Sequence, residues 1–140
     1  AGCKVRHVAA NSHCFSADVN AAFDPIYGEV HERRNASYIN YGVVVTKYTG
    51  ARGKAGTNDA TAEMMSFARR ILDAEKVGWQ TGELGKVDQG GGGTVAMYVS
   101  QHNIDTVDLG VPVLSMHAPF EVVAKTDVYM TYRAMRAFYR

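Results

Sequence analysis

The sequence predicts an α/β domain in which a mixed or mostly parallel sheet is flanked by helices. Three observations carry that prediction. Val43-Val44-Val45-Thr46 and the apolar run at 109–116 read as buried strands. Met64, Phe67, Ala68, Ile71 and Leu72 recur at helical spacing and define one face of a helix. The two kinds of segment alternate along the chain, as they do where helices cross over between strands of one sheet.

The elements follow in order. Residues 5–17 are expected to be mostly extended, with a strand ending over 15–19. Residues 20–34 contain the turn signal Asp24-Pro25-Ile26-Tyr27-Gly28 and read as a loop with one helical turn at 29–33. Residues 42–48 form a strand, because β-branched side chains fit a pleated, buried surface. Three glycines make 49–57 a loop. Asn58 is expected to cap a helix that runs through Lys76. A short strand follows at 78–81, then a helix at 94–103 with Val95, Tyr98 and Val99 turned inward. Residues 106–116 give one strand, or two broken at Gly110-Val111-Pro112. The closing helix, 126–139, aligns Val128, Tyr132, Met135 and Tyr139, and the aromatic and methionine residues there read as core packing.

Composition narrows the function. A chain of 140 residues is one domain or part of one. Its apolar (46%) and charged (21%) fractions are those of an ordinary soluble protein. A net charge of +1 gives no electrostatic case for nucleic acid or a membrane surface. The basic cluster Lys47, Arg52, Lys54 is short and broken by glycines, so it reads as a loop. No apolar stretch approaches the roughly 20 residues that span a bilayer. Residues 1–7 lack the apolar core of a signal peptide. A cytoplasmic location is expected, with Cys3 and Cys14 as reduced thiols. The missing initiator methionine suggests a chain broken before Ala1.

Several residues are candidates for chemistry. His117 directly follows the 109–116 run, and Pro119 restricts Ala118 to extended backbone, which helps to end it. Ligands of α/β sheets collect outside the carboxyl ends of strands, so the imidazole is a candidate metal ligand. A lone surface or core histidine is the commoner case. Asp18 ends the run Cys14-Phe15-Ser16-Ala17. A buried carboxylate there needs a cation, a metal or backbone amides; a turn-initiating aspartate is the alternative. The run Gly90-Gly91-Gly92-Gly93 fits a backbone passing close to a ligand, with free N–H groups at the start of the 94–103 helix. It also fits a flexible connector. Lys47 ends a strand and is either an anion partner or an exposed lysine. His7, His13, His31 and His102 show no metal-ligand spacing.

Taken together, four motifs in this order are similar to one family: SADV at 16–19, YTGARGKAGTND at 48–59, GELGKVDQGGGGT at 82–94 and LSMHAPFE at 114–121. It is the metallo-aminopeptidase family that includes aspartyl aminopeptidase and vacuolar aminopeptidase I. The glycine-rich loop looks more like the aminopeptidase I branch, and DVYMTYRAMRAF at 127–138 resembles the family's C-terminal helix. The resemblance implies that residues 1–140 are the C-terminal part of one zinc-exopeptidase-like catalytic domain, with the rest of that domain and a dimerisation domain outside this chain. It implies two zinc ions per complete site, with Asp18 and His117 each ligating one. It places Met116 and the backbone of Gly92 and Gly93 in the substrate pocket; Lys47 there either pairs with an acidic substrate side chain or is structural, holding Asp88 or a loop carbonyl in place.

The implied activity is hydrolysis of the N-terminal residue of peptides by a large homo-oligomer, in the cytoplasm, or in the vacuole for a fungal aminopeptidase I. The family's His-x-Asp and Glu-Glu motifs are not in this sequence, so no general base is assigned here and the isolated chain is expected to be inactive. The aspartyl branch carries a histidine soon after its ligand aspartate, where Asn20, Ala21, Ala22 and Phe23 stand here. Together with the glycine-rich loop, this favours neutral or apolar first residues. A non-catalytic fragment or degenerate homologue that only packs with partner chains is the alternative. A weaker one is another dinuclear zinc peptidase group lacking the 82–94 run.

Overall fold

The computed structural model of the chain describes residues 2–52 and 55–140. Lys54, part of the basic cluster, lies outside the described residues. In chain order the elements are α1 (Val5–Ala9), β1 (His13–Ala21), a 3-10 turn (Gly28–Val30), β2 (Val43–Thr46), α2 (Ala62–Ala74), β3 (Trp79–Thr81), α3 (Ala96–Ser100), β4 (Asp105–Leu114), β5 (Val122–Val123) and α4 (Lys125–Phe138). The strands form one mixed sheet in the order β1-β4-β2-β3, with β5 also pairing β4. β1 runs parallel to β4 and β2 parallel to β3, while β2 and β5 are antiparallel to β4.

β4 is one strand, unbroken at Gly110-Val111-Pro112. The proline is tolerated because of where it falls. The Val113 carbonyl accepts from Ala22 N, so Val113 turns its polar groups toward the β1 edge and Pro112 toward the other. On that other edge the paired residues of β4 stop at Gly110 for β2 and resume at Val113 for β5, so no ladder bond is asked of Pro112.

One face of the sheet carries the core. Phe15, Val43, Val45, Val107 and Leu109 pack against Met64, Ala68 and Leu72 of α2 and Ala134 of α4. The Met64/Ala68/Leu72 repeat is the stripe expected for an amphipathic helix. Phe15 stacks on Phe138 at 4.3 Å between ring centroids, tying β1 to the last helix.

The structure corrects the expected elements in four places. Residues 5–9 are helical, not extended. This helix buries nothing, so hydrophobic periodicity holds no trace of it; local bonds set it, among them Ser12 Oγ and Asn11 Nδ2 donating to the Val8 and His7 carbonyls. The helix cap is Thr61, whose hydroxyl accepts from Met64 N, while the Asn58 amide donates to the Thr106 carbonyl and ties its loop to β4. In α3 the buried residue is Ala96, and Val95 and Tyr98 are exposed, because the short helix lies close against β4. In α4 the core face carries Ala134, Ala137, Met130 and Phe138, whereas Val128, Tyr132 and Tyr139 face solvent. Small alanines let that helix approach the sheet, Met135 packs inward as expected, and the tyrosines fall on the far side.

Asp127, in the first turn of α4, is fully buried. Its Oδ1 accepts from Gly42 N at 2.8 Å and its Oδ2 from Asn40 N, the two amides just ahead of β2. Charge-assisted bonds of this kind are the strong ones. Asp127→Ala strands two amides and is expected to lower the unfolding free energy by about 3 kcal/mol. Asp127→Asn, which retains one acceptor, should lose less. Urea denaturation of the two variants checks this, and equal, small losses would count against the clamp.

Candidate metal and substrate site

Asp18 lies within β1, not at its end: the strand continues to Ala21. Its side chain is exposed, and Oδ1 accepts from Val19 N at 2.8 Å. The desolvation argument for a buried carboxylate therefore does not apply to it. Its position is set by its partner. Asp18 pairs with Gly110 of β4, and a methyl group at 110 would fall 2.2 Å from the Asp18 carbonyl oxygen. Only glycine permits β1 to approach so closely here.

His117 lies three residues past the end of β4 at Leu114. Ser115 and His117 both hold left-handed backbone, at φ 57° and 69°, which costs each of them of order 1 kcal/mol. The turn between them is closed by Ala118 N donating to the Ser115 carbonyl at 3.0 Å, and His117 N donates to the Glu121 carboxylate at 2.6 Å. β5 then returns to pair Val113 and Leu114, so the turn is held at both ends. Among the described residues no hydrogen bond engages the exposed imidazole.

The glycine run lies along the neighbouring loop. Gly50 N donates to the Gly92 carbonyl at 2.7 Å and Arg52 N to that of Gly90. A methyl group at Gly91, where φ is +110°, would meet the Gly50 carbonyl oxygen at 1.9 Å. The close approach the glycines serve in the structure is thus to another backbone. The helix after them begins at Ala96 and has five residues, so the expected N–H-rich helix start at Thr94 is not formed.

Met116 lines a cavity of about 410 Å³ with Ala21, Ala22, Val113, Gly85 and Gly90, and His31 stands in its wall. Burial holds the His31 imidazole below its ordinary pKa, against the opposing pull of Asp24. Lys47 is placed elsewhere. It pairs with Asp59 and lines a different surface cavity with Met65, Arg69 and Trp79.

The face of the sheet opposite the core is polar. Ser16, Asn20, Ser37, Thr46, Thr49, Thr106 and Asp108 are all buried. Asp108 went unnoticed in the sequence, although Thr106, Asp108 and Gly110 alternate with Val107 and Leu109 and so mark a second face. Burial raises the Asp108 pKa most; the hydroxyls of Thr94 and Ser16 oppose this, and the Asp18 charge adds to it.

The residues present suit zinc in part. A carboxylate and an imidazole are right donors for it. Both are exposed; Asp18 lies on β1 and His117 in the turn that follows β4, the strand parallel to it. Among the described residues, however, no three of His, Cys, Asp and Glu come together to hold an ion. The described residues of this chain do not by themselves close a metal centre.

Residues 3–139 match the family described as Aminopeptidase I zinc metalloprotease (M18). The chain belongs to this family. It is 51% identical over 135 residues to a probable M18 family aminopeptidase 1 of Clostridium acetobutylicum, covering 96% of this chain and 29% of the relative. A probable M18 family aminopeptidase 2 of Pseudomonas putida is 30% identical over 89% of this chain and 28% of its own length, which puts this M18 chain nearer the aminopeptidase 1 branch. The crystal structure of aminopeptidase I from Clostridium acetobutylicum superposes with a TM-score of 0.93 at 50% identity, over 99% of this chain and 30% of that one. The Thermotoga maritima M18 aminopeptidase gives 0.92 at 47% identity, over 95% and 30%. This M18 chain therefore spans about 30% of the length of the relatives it matches.

Two stability predictions follow from the local geometry. Gly91→Ala is expected to destabilise by more than about 1 kcal/mol through overpacking and positive φ. Gly92→Ala, with no atom within 4 Å of the added methyl, should cost less, as read by thermal unfolding. In metal-free protein the raised pKa of Asp108 means that the folded state favours its protonated form. That stability is present below the ordinary carboxyl pKa and is lost as pH rises through the raised one. Asp108→Asn should remove this falling component from a pH series of denaturation midpoints; an unchanged pH slope would refute it.

Proposed function

We propose that this chain is the C-terminal part of the catalytic domain of a dinuclear zinc aminopeptidase, an enzyme that removes the N-terminal residue of peptides. One observation carries the reading. In a chain of the M18 zinc metalloprotease family, an exposed Asp18 lies on β1 and an exposed His117 in the turn after β4, the neighbouring parallel strand. In the proposal each holds one of two zinc ions. Zinc, when bound, supplies Lewis acidity and lowers the pKa of coordinated water. The chain's own work is to place donors. The β1–β4 ladder sets Asp18, and the turn pinned by Glu121 sets His117. Met116, with the backbone of Gly92 and Gly93, borders the substrate. The general base and the remaining ligands belong to the rest of the protein.

The first residue of the substrate is proposed to be neutral or apolar. Lys47 is paired with Asp59 at a half-exposed position, and such pairs are worth only about 0–1 kcal/mol. An acidic substrate side chain that took the place of Asp59 would gain no more than so exposed a pair supplies, too little to select for it. Self-association of the full-length protein and a cytoplasmic location complete the proposal. The bacterial relatives give no support to a vacuolar one.

Three measurements test it. In the full-length enzyme, His117→Ala should halve the zinc content and cut kcat/KM by more than the roughly 10–100-fold that loss of an outer hydrogen bond costs a metal site. Full activity in that variant refutes the assignment. The isolated 140-residue chain should hydrolyse neither leucyl nor aspartyl anilides with zinc or cobalt added. Full-length Lys47→Met should retain the wild-type preference for leucyl over aspartyl substrates; an aspartyl preference abolished by that change would reverse the specificity. A full-length protein that binds no zinc and turns over no peptide would instead be a non-catalytic homologue.

A further inference from the structure

Several buried polar groups on the sheet face opposite the core are matched to one another. Asn20 Nδ2 donates to Thr46 Oγ1 at 2.7 Å, and Ser37 Oγ donates to Asn20 Oδ1 at 3.0 Å. The hydroxyls of Thr49 and Thr57 meet at 2.6 Å. Asp108 differs. It is 5% exposed, yet among the described residues no hydrogen bond of ordinary geometry closes on either carboxylate oxygen. The buried hydroxyl oxygen of Thr94 beside it is equally unmatched. A carboxylate in this state is costly to bury, and packing alone would be served better by an apolar side chain of similar volume.

Its surroundings indicate what it serves. Asp108 pairs across the sheet with Ser16 on one side and Thr46 on the other. Asp18 is two residues beyond Ser16 on β1, hence on the same face and diagonal to Asp108. Both carboxylates border a small cavity of about 10 Å³, lined also by Asn20, Thr46, Thr49 and Thr94. That is about the space one water molecule needs, and the walls offer it several polar partners.

We propose that Asp108 is a positioning residue for Asp18. With Thr94 it holds one water in this cavity, and that water hydrogen-bonds the Asp18 carboxylate and fixes its rotamer. Outer hydrogen bonds of this kind orient metal ligands and tune their affinity. Because Thr94 ends the glycine run, the same group fastens that run to the strand bearing Asp18. The proposal rests on the reading of Asp18 as a zinc ligand.

The test uses the full-length enzyme. Zinc affinity is measured by chelator competition, and the geometry of the site by the visible absorption of the cobalt(II)-substituted protein. Asp108→Leu should weaken one of the two ions about 10–100-fold and shift the cobalt spectrum. Asp108→Asn, which retains an acceptor and the side-chain size, should weaken it less and still shift the spectrum. If the leucine variant does not fold, the asparagine variant decides: a shifted spectrum supports the proposal and an unchanged one overturns it. Wild-type zinc affinity and an unchanged spectrum in a folded leucine variant also overturn it. Asp18→Ala, run in parallel, separates the two readings. If it retains both ions at wild-type affinity, the ligand assignment itself has failed. If it loses one while the Asp108 variants do not, only the positioning role has failed.

Discussion

The parallel ladder between β1 and β4 is the constraint on which the rest of this molecule depends. It runs unbroken from His13 opposite Asp105 to Ala21 opposite Val113. Parallel neighbours cannot be joined by a hairpin, so the chain between them must leave the sheet and return. That excursion contains β2, α2, β3 and α3. Closing so long a loop has an entropic cost that grows only slowly with its length, and the apolar contacts between α2, α4 and the sheet offset it. Register matters as much as direction. A slip by one residue would exchange Phe15 for Ser16 on the core face and turn Asp18 with it. The packing of Phe15 against Phe67 and Phe138 opposes that slip, so a core contact sets the direction of an exposed carboxylate.

The sheet separates two kinds of chemistry. One face is sealed by valines, leucines and the helix stripe of Met64, Ala68 and Leu72. The other holds a chain of matched polar groups, Ser37, Asn20 and Thr46, that costs little because each donor meets an acceptor. The polar face is where β1, β4 and the residue ending the glycine run converge. Asp18 lies on a strand of this sheet, and His117 in a short turn closed at both ends.

Much of this was legible in the sequence where burial is one-sided. β2 shows as three adjacent valines, and α2 as a clean stripe, because both press directly on the core. β4 was legible as an apolar run, though the tolerance for Pro112 depends on a gap between two partner strands that lie far apart in the chain. α1 left no periodic signal because it buries nothing. In α3 and α4 the inward face was only partly legible: Met135 and Phe138 pack inward as read, but the most deeply buried positions are alanines, and Val128, Tyr132 and Tyr139 are exposed. Asp18, His117 and Met116 stood out through family resemblance and position. Asp108 did not: a buried aspartate in an apolar strand is informative only once its neighbours on β1 and β2 are known.

The Asp127 clamp has a consequence for synthesis of the chain. The carboxylate that receives the Gly42 amide follows it by 85 residues. At roughly 5–20 residues per second, a ribosome needs about 4–17 seconds to supply that acceptor after the amide has been made. Until β3 and then β4 have been made, β2 has no sheet neighbour, and three valines stand on an unpaired strand, the kind of edge that recruits other chains. Its clamp comes later still. The strand that looks most self-sufficient in the sequence therefore waits for partners made well after it, and a chaperone would have most influence on yield in that period.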